Sequence, residues 1–544
     1  MLKLAESAPR APAPRGSVPR DCSDAIAATG SSRPGAGFLP RPCPFVGLTF
    51  RPACPTSAPL CRSRPLPAFQ PSRRHADLGP DFSDVVVPAE FPSAILRYRN
   101  RAWARRVGLD DLSDEAWITH FARFTPLPGS FERPLALRYH GHQFRSYNPD
   151  LGDGRGFLFA QVHDLRDGRL LDLGTKGSGT TPWSRGADGR LTLKGGVREV
   201  LATAMLEALG VETSKSFSLI ETGEALERGD EPSPTRSAVL VRLSHSHLRI
   251  GTFQRLLFLE QPEALARLVD HTVETYYPAI READGAERAA LFFEAMAARV
   301  ARMGAQWMAA GFVHGVLNTD NINVTGESFD YGPWRFVPAH DPAFTAAYFD
   351  EWGLYSFGRQ PEALFWNLSR LADCLLPLVS KERLEVGLKS FGPALQDAFA
   401  EAILSRLGVT PLPGEGEGAV HRLVGAFWAF LEKSRAPFEQ VFFDWRGGLA
   451  SEARAARSPA GEHYASEAFR PVHAALQAMR PSQGANLDHP YFAREEPCTL
   501  LIDAVEALWA PIAGADDWSA FQAKLAEIET VAAAYGTAPL PPEA

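Results

Sequence analysis

HGVLNTDNINVTGESFDYGP, residues 314–333, is the stretch on which the fold turns. Asn321 and, further on, Asp330 offer hard oxygen donors of the kind that suit Mg²⁺ or Mn²⁺. Asp330 also heads an Asp-Tyr-Gly triplet, and Val316 stands two residues after His314. An Asx-rich turn would account for Asn318-Thr319-Asp320-Asn321 taken alone, but not for the spacing of Asn321 and Asp330 from His314.

Working outward, the next informative stretch is LLDLGTKGSG (170–179), which reads as a strand ending at Lys176. The segment REVLATAMLEAL (198–209) follows, with Val197, Leu201, Ala204, Met205 and Ala208 on one helical face and Gly210 placed to stop it. A strand lysine held by a helix glutamate is how kinases keep a phosphate-binding ammonium buried, because such a charge must be paired. Lys176 and Glu199 fit that pair. A solvated lysine and an unrelated glutamate fit the same residues.

Kinase-like enzymes also place a His motif, a metal-binding Asn and an Asp-Phe-Gly triplet in this order. By that count Asn321 and Asp330 are metal ligands, while Val316 occupies the place of the catalytic carboxylate. A valine accepts no proton, so ordinary γ-phosphoryl transfer lacks its base.

Two weaker signals remain. Gly152-Asp153-Gly154-Arg155-Gly156 precedes the apolar run FLFAQV, where it reads equally as a phosphate-approaching loop or a tight hairpin turn. Arg242 and Arg249 flank SHSH (244–247) and suit forked contacts to phosphate, as surface arginines also would. His245 and His247 alternate as on one strand face, with no acidic or cysteine partner at ligand spacing.

The strands GFLFAQV (156–162), LLDLGTK (170–176) and SAVLVRLS (237–244) gather around one helix. Beyond residue 255 the apolar spacing turns helical, near 286–310, 361–378, 384–406, 418–434, 463–479, 499–510 and 516–534. PGEGEG (413–418) and 446–463 read as loops. The expected class is α+β, a protein-kinase-like bilobal fold with a β-rich N-lobe over 81–254 and a larger helical C-lobe over 255–544.

With 544 residues, 45% hydrophobic and 22% charged, the chain suits a globular protein of more than one core. The net charge of -8 conceals a basic segment: residues 1–80 hold eleven Lys/Arg against four Asp/Glu. The acidic remainder opposes nucleic-acid binding, and no apolar run is long enough for a membrane helix. Residues 1–80, rich in Pro, Ala, Arg and Ser, are expected to be disordered or targeting-like. The expected compartment is the cytoplasm, or the mitochondrion if that segment is a transit peptide. Cys22, Cys43, Cys54 and Cys61 show no metal or disulfide spacing. Cys374 reads as a buried hydrophobe, and Cys498 is open.

The stretches YHGHQFRSYNPDLGDGRG (139–156), KGSGTTPWSRGADGR (176–190), VREVLATAMLEALGVETS (197–214), VRLSHSHLRIGTF (241–253), HGVLNTDNINVTGESFDYGP (314–333) and RQPEALFWNLSRLA (359–372) together resemble the selenoprotein O family. The resemblance implies a pseudokinase fold in which ATP lies reversed, so that AMP passes to Ser, Thr or Tyr hydroxyls of proteins and pyrophosphate leaves. It further implies that Gly152, Gly154 and Arg155 form a nucleotide loop, with Asp188 and Gly189 a second nucleotide-contacting pair. Lys176, Arg242 and Arg249 would hold phosphates, Asp320 would accept the proton, and Asn321 with Asp330 would bind Mg²⁺ or Mn²⁺.

Departures from the family are Gly195-Gly196-Val197, where relatives carry Ser-Ser-Ile, and the segment after the triplet, PAHDPAFTAAYFDEWGLYSFGRQ. The selenocysteine or cysteine that some relatives carry near the terminus is also missing, so redox control through that position is not expected. The expected protein is a monomer acting on protein substrates. Uridylyl transfer, a phosphotransferase using Asp320, and a non-catalytic ATP-binding scaffold are the competing functions.

Overall fold

The protein is described here from a computed structural model, which describes residues 69–186, 188–229, 231–540 and 542. Most of the basic segment therefore lies outside the described residues, as do Cys22, Cys43, Cys54 and Cys61. Residues 69–80 correct the expected boundary at 80: they belong to the fold. Strand β1 (Pro71–Ser72) pairs with a central strand, and the His75 backbone N–H donates to Gln161 Oε1 at 2.7 Å.

The chain is α+β. One mixed-length antiparallel sheet collects β1, β2 (Ser83–Val85), β3 (Ile95–Arg99), β4 (Leu135–Leu137), β7 (Leu158–His163), β8 (Leu170–Lys176), β9 (Leu191–Thr192), β10 (Lys215–Leu226) and β11 (Thr235–Ser244). Its order is β2-β4-β7-β8-β11-β10-β3, with β1 added to β7 and β9 to β11. A separate hairpin joins β5 (Gly141–Gln143) to β6 (Ser146–Asn148).

The near-continuous apolar text of β8 and β11 has a physical cause, since both faces of these strands are covered. Leu171, Leu173, Val239, Val241 and Leu243 meet Trp117, Phe121 and Phe159 on one side. Leu170, Ala238 and Leu240 meet the long helix α3 (Leu193–Ala208) on the other. The first side is closed by α1 (Arg101–Arg106) and α2 (Asp114–Phe121), two short helices not foreseen from periodicity. Their signal is in the caps: Asn100 and Ser113 side chains accept from Trp103 and Ala116 N–H groups at 3.1 and 3.2 Å.

Helix α3 starts at Thr192, whose hydroxyl accepts from the Gly195 N–H at 3.1 Å, and Gly210 ends it with φ +82°. After β11 the chain is helical: α4 (Ile250–Phe258), α5 (Pro262–Tyr276), α6 (Gly285–Ala309), α7 (Gln360–Leu375) and α8 (Lys381–Leu407). Helices also span Glu417–Ser434, Phe438–Asp444, Ile502–Ala515 and Ser519–Tyr535. The last of these packs against α3 within the largest core. Two readings need correction. The expected helix 463–479 is broken into Gly461–Tyr464 and Arg470–Leu476, and the expected loop 446–463 contains the short helices Gly448–Ser451 and Glu452–Ala455.

Cys374 is buried as expected, and burial raises its thiol well above the usual range. Cys498 is buried too, its thiol pushed up to about 12. No helix among the described residues is long and apolar enough to cross a membrane.

Candidate active site

Sheet register brings the first charges together. Arg242 on β11 pairs with Gly174 on β8, and Lys176 lies two residues beyond Gly174, so both side chains project from the face that α3 covers. Glu199 of α3 meets them there. Its Oε2 accepts from Lys176 Nζ at 2.8 Å, and its Oε1 lies 3.7 Å from Arg242. The pair is nearly dry, with Lys176 9% and Glu199 1% exposed.

Asp330 closes the cluster from the far part of the chain. Its Oδ1 lies 3.1 Å from Lys176 Nζ and 3.0 Å from Arg242, and its Oδ2 is 3.7 Å from Arg249. Those cations hold its carboxyl well below the ordinary range against the cost of burial. Asp330 adopts φ +63°, a left-handed conformation that costs a non-glycine residue on the order of 1–3 kcal/mol when its surroundings impose it. Both neighbours are fixed: the His314 ring bonds the Phe329 carbonyl at 2.9 Å, and the Tyr331 hydroxyl reaches Ser328 at 2.6 Å and Thr213 at 2.5 Å.

Arg249 ties three parts of the site. One nitrogen donates to the Asp320 carbonyl at 3.0 Å and another to Asp153 Oδ1 at 3.1 Å. Asp153 Oδ2 in turn accepts the Leu137 N–H at 3.1 Å. The Gly-Asp-Gly loop is thus anchored through its acid. Its glycines admit the Trp183 segment, because a Cβ on Gly152 would lie 2.4 Å from the Trp183 ring and one on Gly154 2.6 Å from the Trp183 carbonyl.

Residues Thr319–Asn321 form a single 3₁₀ turn. The Thr319 hydroxyl accepts the His142 N–H at 2.7 Å and donates to Gln254 at 2.6 Å. Asp320 is buried with Oδ1 lacking any partner, and burial raises its carboxyl to about 6. The Asn321 amide nitrogen donates to the Val316 carbonyl at 3.0 Å, which leaves its oxygen for other use.

These residues share one cavity of about 710 Å³. Gly152, Gly154, Arg155, Lys176, Asp188, Glu199, Arg242, Arg249, Asp320, Asn321 and Asp330 all line it, and so does Val316. Gly189 does not; it turns the chain beside the wall with φ +86°. Arg155 and Asp188 face each other across the rim at 3.5 Å. Ten Lys/Arg and seven Asp/Glu line the cavity among the described residues, a cationic excess in a chain of net charge -8 that favours a polyanionic occupant.

The two histidines of the SHSH run part company. His247 lines the cavity, backed at 3.5 Å by Asp172. His245 turns away, packs edge-on against Tyr276 and is driven down to about 3 by burial. Among the described residues no three His, Cys, Asp or Glu side chains gather as a self-sufficient metal cage. Sequence reasoning missed Asp153, Thr319 and Gln254, whose roles exist only through partners distant in the chain.

A family profile described as Protein adenylyltransferase SelO matches residues 67–529. The chain is 46% identical over 460 residues to protein nucleotidyltransferase YdiU of Gloeobacter violaceus, covering 82% of this chain and 92% of that protein. It is 43% identical over 458 residues to the protein of that name from Trichormus variabilis, with 82% and 92% covered. For the Synechocystis protein of that name the identity is 41% over 490 residues, with 88% and 97% covered.

Proposed function

This chain belongs to the protein adenylyltransferase SelO family, and from that premise we propose that it transfers AMP from ATP to Ser, Thr or Tyr hydroxyls of proteins, releasing pyrophosphate. Nucleotidyl transfer is the activity of the family. The acceptor hydroxyls, the metal and the role of each residue belong to the proposal, as does a kinase-like division into a strand-rich lobe ending near residue 254 and a helical lobe beyond it.

One observation carries the assignment of roles: Lys176, Glu199, Arg242, Arg249 and Asp330, drawn from separate parts of the chain, meet within 4 Å of one another's charges on a single cavity. Lys176, Arg242 and Arg249 supply three fixed cations to a triphosphate, and Glu199 holds Lys176 in place. Gly152, Gly154 and Arg155, with Asp188 and Gly189 behind them, bound the nucleotide on the rim.

The acceptor hydroxyl must lose a proton as it attacks the α-phosphorus. Val316 cannot take it. Asp320 can, because its buried Oδ1 has no other partner and its raised carboxyl suits a proton acceptor.

The Asn321 amide oxygen, left free when its nitrogen bonds the Val316 carbonyl, and the Asp330 carboxylate fit Mg²⁺ or Mn²⁺. A site of this kind is completed by phosphate oxygens rather than by a protein cage. Such an ion supplies charge neutralisation for the departing pyrophosphate.

ATP labelled at the α- or the γ-phosphate tests the reading, with Mg²⁺ or Mn²⁺ and protein acceptors. Label reaching protein from the α position alone supports it. Label from γ alone would make the chain a phosphotransferase, label from neither a nucleotide-binding scaffold, and labelled UTP preferred over ATP a uridylyltransferase.

A further inference from the structure

The mouth of the cavity carries a set of aromatic rings to which the chemistry above assigns no role. Tyr348 is 85% and Trp352 90% exposed, with Phe349 and Phe144 each close to half exposed. Phe144, Tyr348 and Phe349 line the same cavity as Lys176 and Asp330, whereas Trp352 stands beyond its lining. Phe144, Phe349 and Tyr348 touch in turn, and Trp352 follows Phe349 along the same loop.

The loop that carries them is held in place. Asp350 accepts the Leu354 and Tyr355 N–H groups, each at 2.8 Å. Phe144 packs on Tyr355 at 5.1 Å and on Phe349 at 5.9 Å between ring centroids. The Tyr355 hydroxyl donates to Asn318 Oδ1 at 2.9 Å, and the same oxygen accepts the Phe144 N–H at 3.1 Å. Asn318 opens the turn that bears Asp320, so the position of the rings is coupled to that of the acid.

Ordering a loop costs on the order of 1–2 kcal/mol per residue in backbone entropy, and Tyr348 and Trp352 recover almost none of it through burial. Exposed aromatic residues concentrated on one ordered patch are the composition of a protein contact surface. An ATP molecule inside the cavity does not account for Trp352, which lies outside the lining. A polypeptide must nevertheless reach the mouth of this cavity to present its hydroxyl.

We propose that Phe144, Tyr348, Phe349 and Trp352 dock the acceptor segment of the protein substrate, seating an apolar or aromatic side chain that flanks the modified hydroxyl. This deepens the nucleotidyl-transfer reading and rests on it. The surface selects acceptors by what lies beside the hydroxyl, and leaves ATP binding to the charges within.

The test uses the full chain, α-labelled ATP, and a peptide set of thirteen residues with a central serine in a Gly/Ala/Lys background, one flanking position varied at a time. For the natural protein, label should concentrate on peptides with Leu, Phe, Tyr or Trp near the serine. Trp352→Ala should flatten that preference and raise the KM for the favoured peptide about ten-fold, the scale of one aromatic anchor, while the KM for ATP changes less than about two-fold. Trp352→Phe should recover most of the preference.

Equal labelling of all flanks, or an unaltered preference in Trp352→Ala, overturns the inference while leaving nucleotidyl transfer intact. A rise in the KM for ATP instead would assign the rings to the nucleotide base, and a change of oligomeric state in the variant would assign them to a second copy of the chain; each overturns it. No α-label on any peptide or protein acceptor from the natural enzyme would remove the underlying reading and this inference together.

Discussion

Lys176 Nζ sits 2.8 Å from Glu199 and 3.1 Å from Asp330, so one ammonium joins the strand, the helix and the loop that build the site. Removing it leaves two carboxylates beside each other in a nearly dry environment. Deleting one partner of a buried ion set costs about 3–5 kcal/mol, and transition-state charge on the phosphates loses one of the three cations assigned to it. Lys176→Ala is expected to lower AMP transfer at least about 100-fold and to lower the melting temperature, measured by α-label transfer and calorimetry.

Asp330 answers to three cations at once. Asp330→Asn keeps the shape but removes the charge that opposes Lys176, Arg242 and Arg249, and with it the proposed metal oxygen. Transfer should vanish at any Mg²⁺ or Mn²⁺ concentration while far-UV circular dichroism stays native. Undiminished activity would refute the metal role.

Asp320→Asn is expected to lower kcat by roughly 10²–10⁴, the usual worth of a positioned base. The KM for ATP should hardly move, because the side chain makes no hydrogen bond to the phosphate-facing arginines. A proportional rise in the KM for ATP with kcat intact would assign Asp320 to nucleotide binding instead.

Gly156 marks how closely β7 and β8 approach. A Cβ there would lie 2.0 Å from the Thr175 carbonyl, next to Lys176, and backbone on that side cannot yield without parting the strands. Gly156→Ala should cost about 1–3 kcal/mol in chemical denaturation and weaken ATP binding through displacement of Lys176.

Acid should unfold the protein through histidines remote from the chemistry. Burial lowers His75 to about 4 and His245 and His271 to about 3. With folded values below the unfolded 6.5, the stability they contribute is complete above pH 6.5 and is lost as pH falls toward 3. At pH 5 the unfolded chain has taken up protons that the folded chain refuses, worth roughly 2 kcal/mol for each histidine. Asp320 works the other way by about 1 kcal/mol, so the melting temperature should drop between pH 7 and pH 5.

Much of this was legible in the residues. Continuous apolar runs gave β7, β8 and β11, helical spacing with Gly210 gave α3, and a strand lysine followed by a helix glutamate gave the pair at 2.8 Å. Strand β10 was not, since SFSLIETGEAL mixes small, polar and apolar residues and takes its place only by pairing with β11 and β3. The break between Gly461–Tyr464 and Arg470–Leu476 is likewise imposed by packing around Trp445, Tyr464 and Phe469. Gly152 and Gly154 looked like a phosphate loop or a turn. Their contact with Trp183 answers to a segment that local spacing does not reveal.

Helix Ser519–Tyr535 braces the helix that carries Glu199, and the Thr537 hydroxyl bonds the Ala208 carbonyl at 2.8 Å. During synthesis the strands and α3 emerge long before this brace does. A ribosome stalled short of residue 537 therefore holds a chain that has every charge of the site but not the support of the helix that aligns them. The alignment of Glu199 thus depends on a segment made long after the helix that carries it.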